Sequence, residues 1–110
     1  MITTHVLDTT HGRPAAGVHV VLEHSQDAAW RVISTRETDA DGRVTSFTNA
    51  SSLAPGVYRL VFDTGNYFER AGSKTFYPQV IIVFETVAGE SHYHVPLLLG
   101  PFGYTTYRGS

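Results

Sequence analysis

Hydrophobic and polar residues alternate along most of this chain with a period of two, and no long stripe of period 3.6 competes with that pattern. Alternation of this kind is typical of half-buried strands. It predicts strands around position 5 and over 18–24, 29–38, 56–64, 91–99 and 104–108. The segment 79–87 is apolar at both parities, which predicts a central strand covered on two faces. The segment 67–76 lacks alternation and can accommodate a short helix.

Glycine, proline and aspartate separate these segments at regular intervals, at 12–14, 39–43, 54–56, 65–66, 88–89 and 100–103. The Asp41-Gly42 step predicts a tight turn, after which 44–48 continues as a strand. About eight short strands with regular turns predict an all-β fold, an antiparallel β-sandwich. The length of 110 residues fits a single domain over 1–110.

Composition narrows the class of protein further. The formal net charge is -2, which gives no electrostatic reason to expect nucleic acid or an anionic membrane as a partner. The chain contains no cysteine, so neither disulfides nor thiolate metal sites are available. The first residues lack the pattern of a signal peptide, and no apolar run is long enough to span a membrane. We therefore expect a soluble cytoplasmic protein.

The His-Tyr-His step near the end is the first candidate for chemistry. His92 and His94 leave the same face of the predicted strand because they are two residues apart, while Tyr93 faces the core. Pro96 cannot donate a ladder hydrogen bond, so it predicts an irregular or edge position. The two imidazoles are either solvated or ligands for zinc. A zinc site needs a third ligand, and no nearby carboxylate has diagnostic spacing.

Other candidates are weaker on their own. His5 lies in the predicted first strand, and Arg43 follows the Asp-Gly turn. No chemistry is expected of the histidines in a loop, at an outward strand position and at a strand end, which are His11, His19 and His24. The sequence has no G-x-S-x-G nucleophile, no Walker phosphate loop and no G-x-G-x-x-G. The residues alone therefore predict a β-sandwich with two or three histidines of interest and no defined reaction.

Four segments resemble the transthyretin-like family, and within it the branch that hydrolyses 5-hydroxyisourate: TTHVLDTTHGRPAAGV, TDADGR, FYPQVIIVF and HYHVPLLLGPFGYTTYRGS. The terminal Tyr-Arg-Gly-Ser marks that branch. The resemblance implies a sandwich of two four-stranded sheets with one short helix, which would fall in 67–76. It also implies a homotetramer, a dimer of dimers, with active sites where dimers meet along a central channel. The implied reaction is ring opening of 5-hydroxyisourate to 2-oxo-4-hydroxy-4-carboxy-5-ureidoimidazoline in urate degradation, with no cofactor and no metal.

The same resemblance assigns roles to individual residues. His5, Arg43, His94 and Ser110 correspond to catalytic positions, and His5, Arg43 and Tyr107 to substrate contacts. Histidine suits proton transfer from water near neutral pH, and a fixed arginine can stabilise negative charge that develops on the substrate. We favour His94 for activating water, with His5 assisting, although the sequence does not decide which histidine is the base.

The chain terminus and one strand face lead to two more expectations. Ser110 brings a hydroxyl and the terminal carboxylate, which can accept hydrogen bonds from Arg43, Arg108 or a histidine. Assembly into a tetramer is expected because a monomer would leave one strand face in water, namely His94, Pro96 and Leu98. The alternatives to a hydrolase are a carrier of small ligands in the central channel and a zinc-binding sandwich that uses His92 and His94, with His5 as a third candidate ligand.

Overall fold

The computed structural model describes residues 1–48 and 53–110. Nine strands and one helix lie within these residues: β1 Ile2–Asp8, β2 Arg13–Pro14, β3 His19–Gln26, β4 Ala29–Glu37, β5 Arg43–Val44, β6 Gly56–Phe62, α1 Thr64–Arg70, β7 Val80–Thr86, β8 Tyr93–Leu99 and β9 Tyr104–Thr106. Each long predicted strand is present to within a few residues. Of the described helices, none is long and apolar enough to cross a membrane.

The strands form two sheets, which confirms the predicted sandwich. One sheet has the order β2-β1-β8-β9, and β5 also pairs with β1. The other has the order β4-β3-β6-β7. The pairing is antiparallel throughout except between β1 and β8, which run parallel from Ile2↔Tyr93 to Asp8↔Leu99. This pair departs from the expected all-antiparallel arrangement because the first and eighth strands are joined through the whole second sheet rather than by a hairpin.

The core lies between the two sheets and follows the alternation in the sequence. Along β1 every second residue is buried, from Ile2 to Asp8, and β6 buries Tyr58, Leu60 and Phe62. Full burial of such an apolar side chain contributes roughly 1.5–3 kcal/mol. The outward residues of β1 are only half-buried. The sheet that contains β1 therefore presents one face to the core and the other face for chemistry.

Two strand predictions were wrong. β7 lies at the edge of its sheet rather than at the centre, and its outward Ile81 and Val83 are 39% and 57% exposed. Because the outer face of β7 is apolar although it is exposed, its sequence resembles that of a strand buried on both faces. The strand predicted over 44–48 stops at Val44. It ends there because Phe47 turns into the core and the Ser46 hydroxyl donates to the Thr48 carbonyl at 2.8 Å.

The predicted helix is present but begins earlier, at Thr64, and ends at Arg70. Asp63 caps it, since its carboxylate accepts from the Asn66 amide at 3.3 Å. The segment ends where Gly72 adopts a φ of 73°, a conformation that favours glycine. The helix therefore overlaps 67–76 only in part, because its start is set by the cap at Asp63.

Two histidines expected to be ordinary take part in the packing. His24 is 6% exposed and stacks on Tyr58 with ring centroids 4.1 Å apart, rather than lying at a loose strand end. The buried Asp8 carboxylate accepts a hydrogen bond from Nδ1 of His11 at 2.7 Å and another from the Tyr67 hydroxyl at 2.7 Å. Burial raises the pKa of Asp8, but the hydrogen bonds from Tyr67 and His11 outweigh it and leave that pKa below its ordinary value. Asp8 thus links the end of β1 to α1.

Candidate active site

Three strands of one sheet bring the candidate residues together on its outward face. In the parallel pair β1–β8, Thr3 lies opposite His94 and His5 lies opposite Pro96. In the antiparallel pair β1–β5, His5 lies opposite Arg43. Directly opposed residues on paired strands share a face. Side chains from positions 5, 43 and 94 therefore meet although they are far apart along the chain.

A shallow pocket opens on this face. It is lined by two strand residues of β1, the segment after the Asp-Gly turn, both histidines of His-Tyr-His and the last residue of the chain: Thr3, Thr4, Arg43, Val44, Thr45, His92, His94 and Ser110. His5 borders the same region, because its ring acts electrostatically on His94. The pocket thus collects four of the predicted catalytic residues at or beside one opening.

His94 is held on two sides. Its Nδ1 lies 2.8 Å from the Thr3 hydroxyl, and its carbonyl accepts from the Gly109 amide at 2.8 Å. Gly109 packs so closely that a Cβ placed on it would lie 2.5 Å from Cδ2 of His94. Partial burial lowers the pKa of His94 below its ordinary value of 6.5, and the electrostatic interactions with Arg43, His5 and His92 lower it further. The His94 imidazole is therefore neutral at neutral pH.

The Arg43 guanidinium is exposed to the pocket, and within the described residues it makes no ion pair. Its backbone is fixed by the turn, because the Arg43 amide donates to the Asp39 carboxylate at 2.9 Å. A cation that is not paired with a carboxylate interacts more strongly with negative charge on a bound molecule. Arg43 is therefore placed to stabilise negative charge in the pocket.

The C-terminal tail returns to β8 after β9 ends. Gly109 forms an isolated bridge with His94, and Ser110 reaches the pocket. Gly109 of the tail packs against Pro96 where the tail passes over β8. Pro96 is therefore buried, whereas we expected a monomer to leave it in water. On the side of β9 the ladder of β8 is interrupted between Leu97 and His94, whereas the pairing with β1 continues through Pro96. The irregularity predicted from the proline is thus found on one side of β8 only, and β8 lies inside its sheet and not at an edge.

Tyr107 and Arg108 lie apart from this pocket. Tyr107 is 57% exposed and lines a neighbouring groove at the open edge of the sandwich, which it shares with His94 and Phe84. Arg108 lies 3.5 Å from Glu90 and stacks over the Tyr93 ring at 4.9 Å. Ser110 thus lines the pocket, whereas Tyr107 lines the groove next to it.

The zinc alternative lacks a third ligand in the part of the chain that the structure describes, since no group of three histidine or acidic side chains there is arranged to hold a metal ion.

Thr3 also lines the pocket, although the sequence did not lead us to expect it there. The signal that could have found it is its spacing from His5, because two residues apart on one strand means a shared face.

Comparisons with known proteins identify relatives of this chain. The family model described as HIUase/Transthyretin family matches residues 2–109. The chain is 46% identical over 110 residues to 5-hydroxyisourate hydrolase of Salmonella typhimurium, covering all of this chain and 81% of that one. It is 43% identical over 111 residues to 5-hydroxyisourate hydrolase of Mus musculus, covering 99% and 94%.

Solved structures are similar over almost the whole length. 5-Hydroxyisourate hydrolase of Klebsiella pneumoniae superposes with a TM-score of 0.88 at 37% identity, covering 99% of this chain and 98% of that one. Sea bream transthyretin in complex with thyroxine superposes with a TM-score of 0.92 at 34% identity, covering 98% and 93%. One fold thus serves both an enzyme and a protein that binds thyroxine.

Proposed function

The chain belongs to the HIUase/transthyretin family, and we propose that the pocket lined by Arg43, His94 and Ser110 is the place where it hydrolyses 5-hydroxyisourate. The protein is a hydrolase of urate degradation. It opens the ring of 5-hydroxyisourate to give 2-oxo-4-hydroxy-4-carboxy-5-ureidoimidazoline. Water adds to a ring carbonyl, the adjacent C–N bond breaks, and the departing nitrogen takes up a proton. No cofactor enters this proposal.

The observation that carries the site assignment is a neutral imidazole in the same pocket as a guanidinium that makes no ion pair with any described residue. His94, whose pKa is lowered by burial and by Arg43, can accept the proton that water loses as it attacks the carbonyl. Negative charge then develops on the carbonyl oxygen and on the departing nitrogen. Arg43 stabilises that charge without giving up its own proton. The proton held by His94 passes to the departing nitrogen, so the imidazole ends neutral.

His5, Ser110 and Tyr107 complete the proposed set. His5 lies opposite Arg43 and close enough to act on His94 electrostatically, which supports an assisting role in orienting water or substrate. Ser110 lines the pocket, which supports a catalytic role for its hydroxyl. We retain Tyr107 as a proposed substrate contact because the groove that it lines also borders His94.

We also propose that residues 1–110 form one domain that assembles into a dimer of dimers. The pocket lies on an open sheet face, and apolar side chains are exposed on the edge strand β7 and on the tail, which a second chain would cover. A mass near four times 12.1 kDa by light scattering at micromolar concentration is the expected result. A fully active monomer would contradict it.

The enzyme assay follows the decay of 5-hydroxyisourate absorbance after urate oxidase has produced it in situ, with and without this protein. Because each residue contributes to the transition state, His94→Ala and Arg43→Ala should each lower turnover by about 10²–10³ while the protein still folds. His92→Ala should reduce it less. Decay at the spontaneous rate with a folded protein would favour a carrier of small ligands, the alternative suggested by the likeness to the thyroxine-bound transthyretin.

A further inference from the structure

One hydroxyl lies between two imidazoles at the edge of the pocket. Thr3 Oγ1 is 2.8 Å from Nδ1 of His94 and 3.4 Å from Nε2 of His92. The position is set by the backbone, since Thr3 lies opposite His94 in the parallel pair β1–β8. The first contact is a normal hydrogen bond, and the second is long and weak.

Both contacts restrict how His94 can act. Its Nδ1 is occupied by Thr3, and its Cγ and Cδ2 side is packed by Gly109. Nε2 is the ring nitrogen that neither contact occupies. A neutral imidazole carries its hydrogen on one nitrogen only, and the nitrogen without it is the one that can take a proton from water.

We propose that Thr3 is a positioning residue that fixes His94 as the Nδ1–H tautomer. This inference rests on the proposed function. His94 donates from Nδ1 to the Thr3 hydroxyl, and that hydroxyl directs its own hydrogen toward Nε2 of His92. The lone pair on Nε2 of His94 is then free to accept the proton from the attacking water.

Charge in the pocket favours this direction of the hydrogen bonds. Arg43 lines the same pocket as His94 and acts on it electrostatically. A cation favours a lone pair over an N–H group on the ring nitrogen that faces the open pocket, because the N–H end of the imidazole dipole is positive, and Nε2 is the nitrogen that neither Thr3 nor Gly109 occupies. His92 is exposed, so its Nε2 can accept a hydrogen bond from the Thr3 hydroxyl while the rest of the ring stays in contact with water.

The same arrangement supports the charged intermediate. When Nε2 takes the proton from water, His94 becomes an imidazolium and its Nδ1–H still donates to Thr3. That bond then has a charged donor and is stronger than before. Thr3 neither gains nor loses a proton, so it stabilises the proton-bearing state without taking part in the transfer.

The test compares Thr3→Val, which replaces the hydroxyl by a methyl of similar shape, with Thr3→Ser, which restores the hydroxyl. Thr3→Val should lower kcat at least about tenfold and change KM by less than about threefold, because the transition state and not substrate binding depends on the tautomer. Thr3→Ser should recover most of kcat. Thr35→Val, the same exchange at an exposed position of β4 in the other sheet, controls for the loss of a surface hydroxyl.

Nitrogen-15 shifts of the histidine rings provide a readout that does not depend on turnover. The signals of His94 are identified by their loss in His94→Ala. They should show hydrogen on Nδ1 in the unsubstituted protein and in Thr3→Ser, and a mixture of tautomers in Thr3→Val. Hydrogen on Nε2 in the unsubstituted protein would overturn the inference, as would a Thr3→Val variant with unchanged tautomer and kcat. Absence of turnover in the unsubstituted protein would instead contradict the proposed function, and the shifts would still decide the role of Thr3.

Discussion

Adding one methyl group near the end of the chain tests whether the tail shapes the pocket. In Gly109→Ala the new Cβ would lie 2.5 Å from Cδ2 of His94 and 3.2 Å from Cγ of Pro96. Carbon atoms in contact prefer about 3.5–4.0 Å, so the imidazole or the tail must move by about 1 Å. Gly109 does not adopt a left-handed φ, so backbone strain would not explain the effect.

A displacement of that size has a large expected consequence. A misplacement of about 1 Å in catalytic geometry lowers rate by about 10²-fold, or roughly 2.7 kcal/mol of barrier. We expect kcat for 5-hydroxyisourate to fall by that order in Gly109→Ala, while the melting temperature changes little because the site lies at the surface. The assay is absorbance decay of 5-hydroxyisourate at matched oligomer content.

Gly103→Ala is the matched control, because a Cβ at Gly103 meets nothing within 4 Å and its φ is outside the left-handed region. It should keep a turnover close to that of the unsubstituted protein. A Gly109→Ala variant with kcat within about threefold of the control would refute the reasoning, since it would show that the tail passes His94 without fixing it.

Four further outcomes are expected. A tag placed directly after Ser110 should lower turnover at least about tenfold, roughly 1.4 kcal/mol, whereas the same tag at the N-terminus should not, and equal rates would remove Ser110 from the site. The acidic limb of the pH–rate profile should lie below 6.5 because the pKa of His94 is lowered, and Arg43→Gln should move that limb to higher pH by removing a cation; an unmoved limb would count against the coupling. Ala28→Gly should stabilise the fold by about 1 kcal/mol in urea unfolding, because this non-glycine residue has a φ of 62° in the β3–β4 turn. Ser34→Ala should leave the free energy of unfolding unchanged or raise it by up to about 1 kcal/mol, since the Ser34 hydroxyl is buried and has no hydrogen-bond partner in the described part of the chain; a clear loss would reveal a bond that the structure does not show.

The strands could be predicted because their signal is local. Whether a residue of β1 or β6 faces the core depends on its parity within the strand, and parity can be read from the sequence. The place of a strand within its sheet depends on partners far along the chain. This is why β7 was predicted to be central although it lies at an edge, and why the burial of His24 was missed.

The functional site, too, could be predicted from the sequence only in part. His5, Arg43, His94 and Ser110 were named through the resemblance to a family, and spacing alone did not connect them. Their proximity follows from three long-range pairings, β1 with β8, β1 with β5 and Gly109 with His94, which no short-range pattern encodes. Thr3 was missed for the same reason, because its bond to His94 spans 91 positions.

The parallel pairing of the first and eighth strands also constrains the order of events during synthesis. The pocket needs a residue from position 3, one from position 43, one from position 94 and the terminal Ser110. While the ribosome still holds the last part of the chain, β1 has no long partner strand, because β8 has not yet emerged. A nascent chain can therefore form the sheet of β3, β4 and β6 early, but it acquires the pocket only once β8 and Ser110 have emerged. A chain that stops before Gly109 would carry nearly all of the core and lack the end of the pocket, so the core can form before the site does.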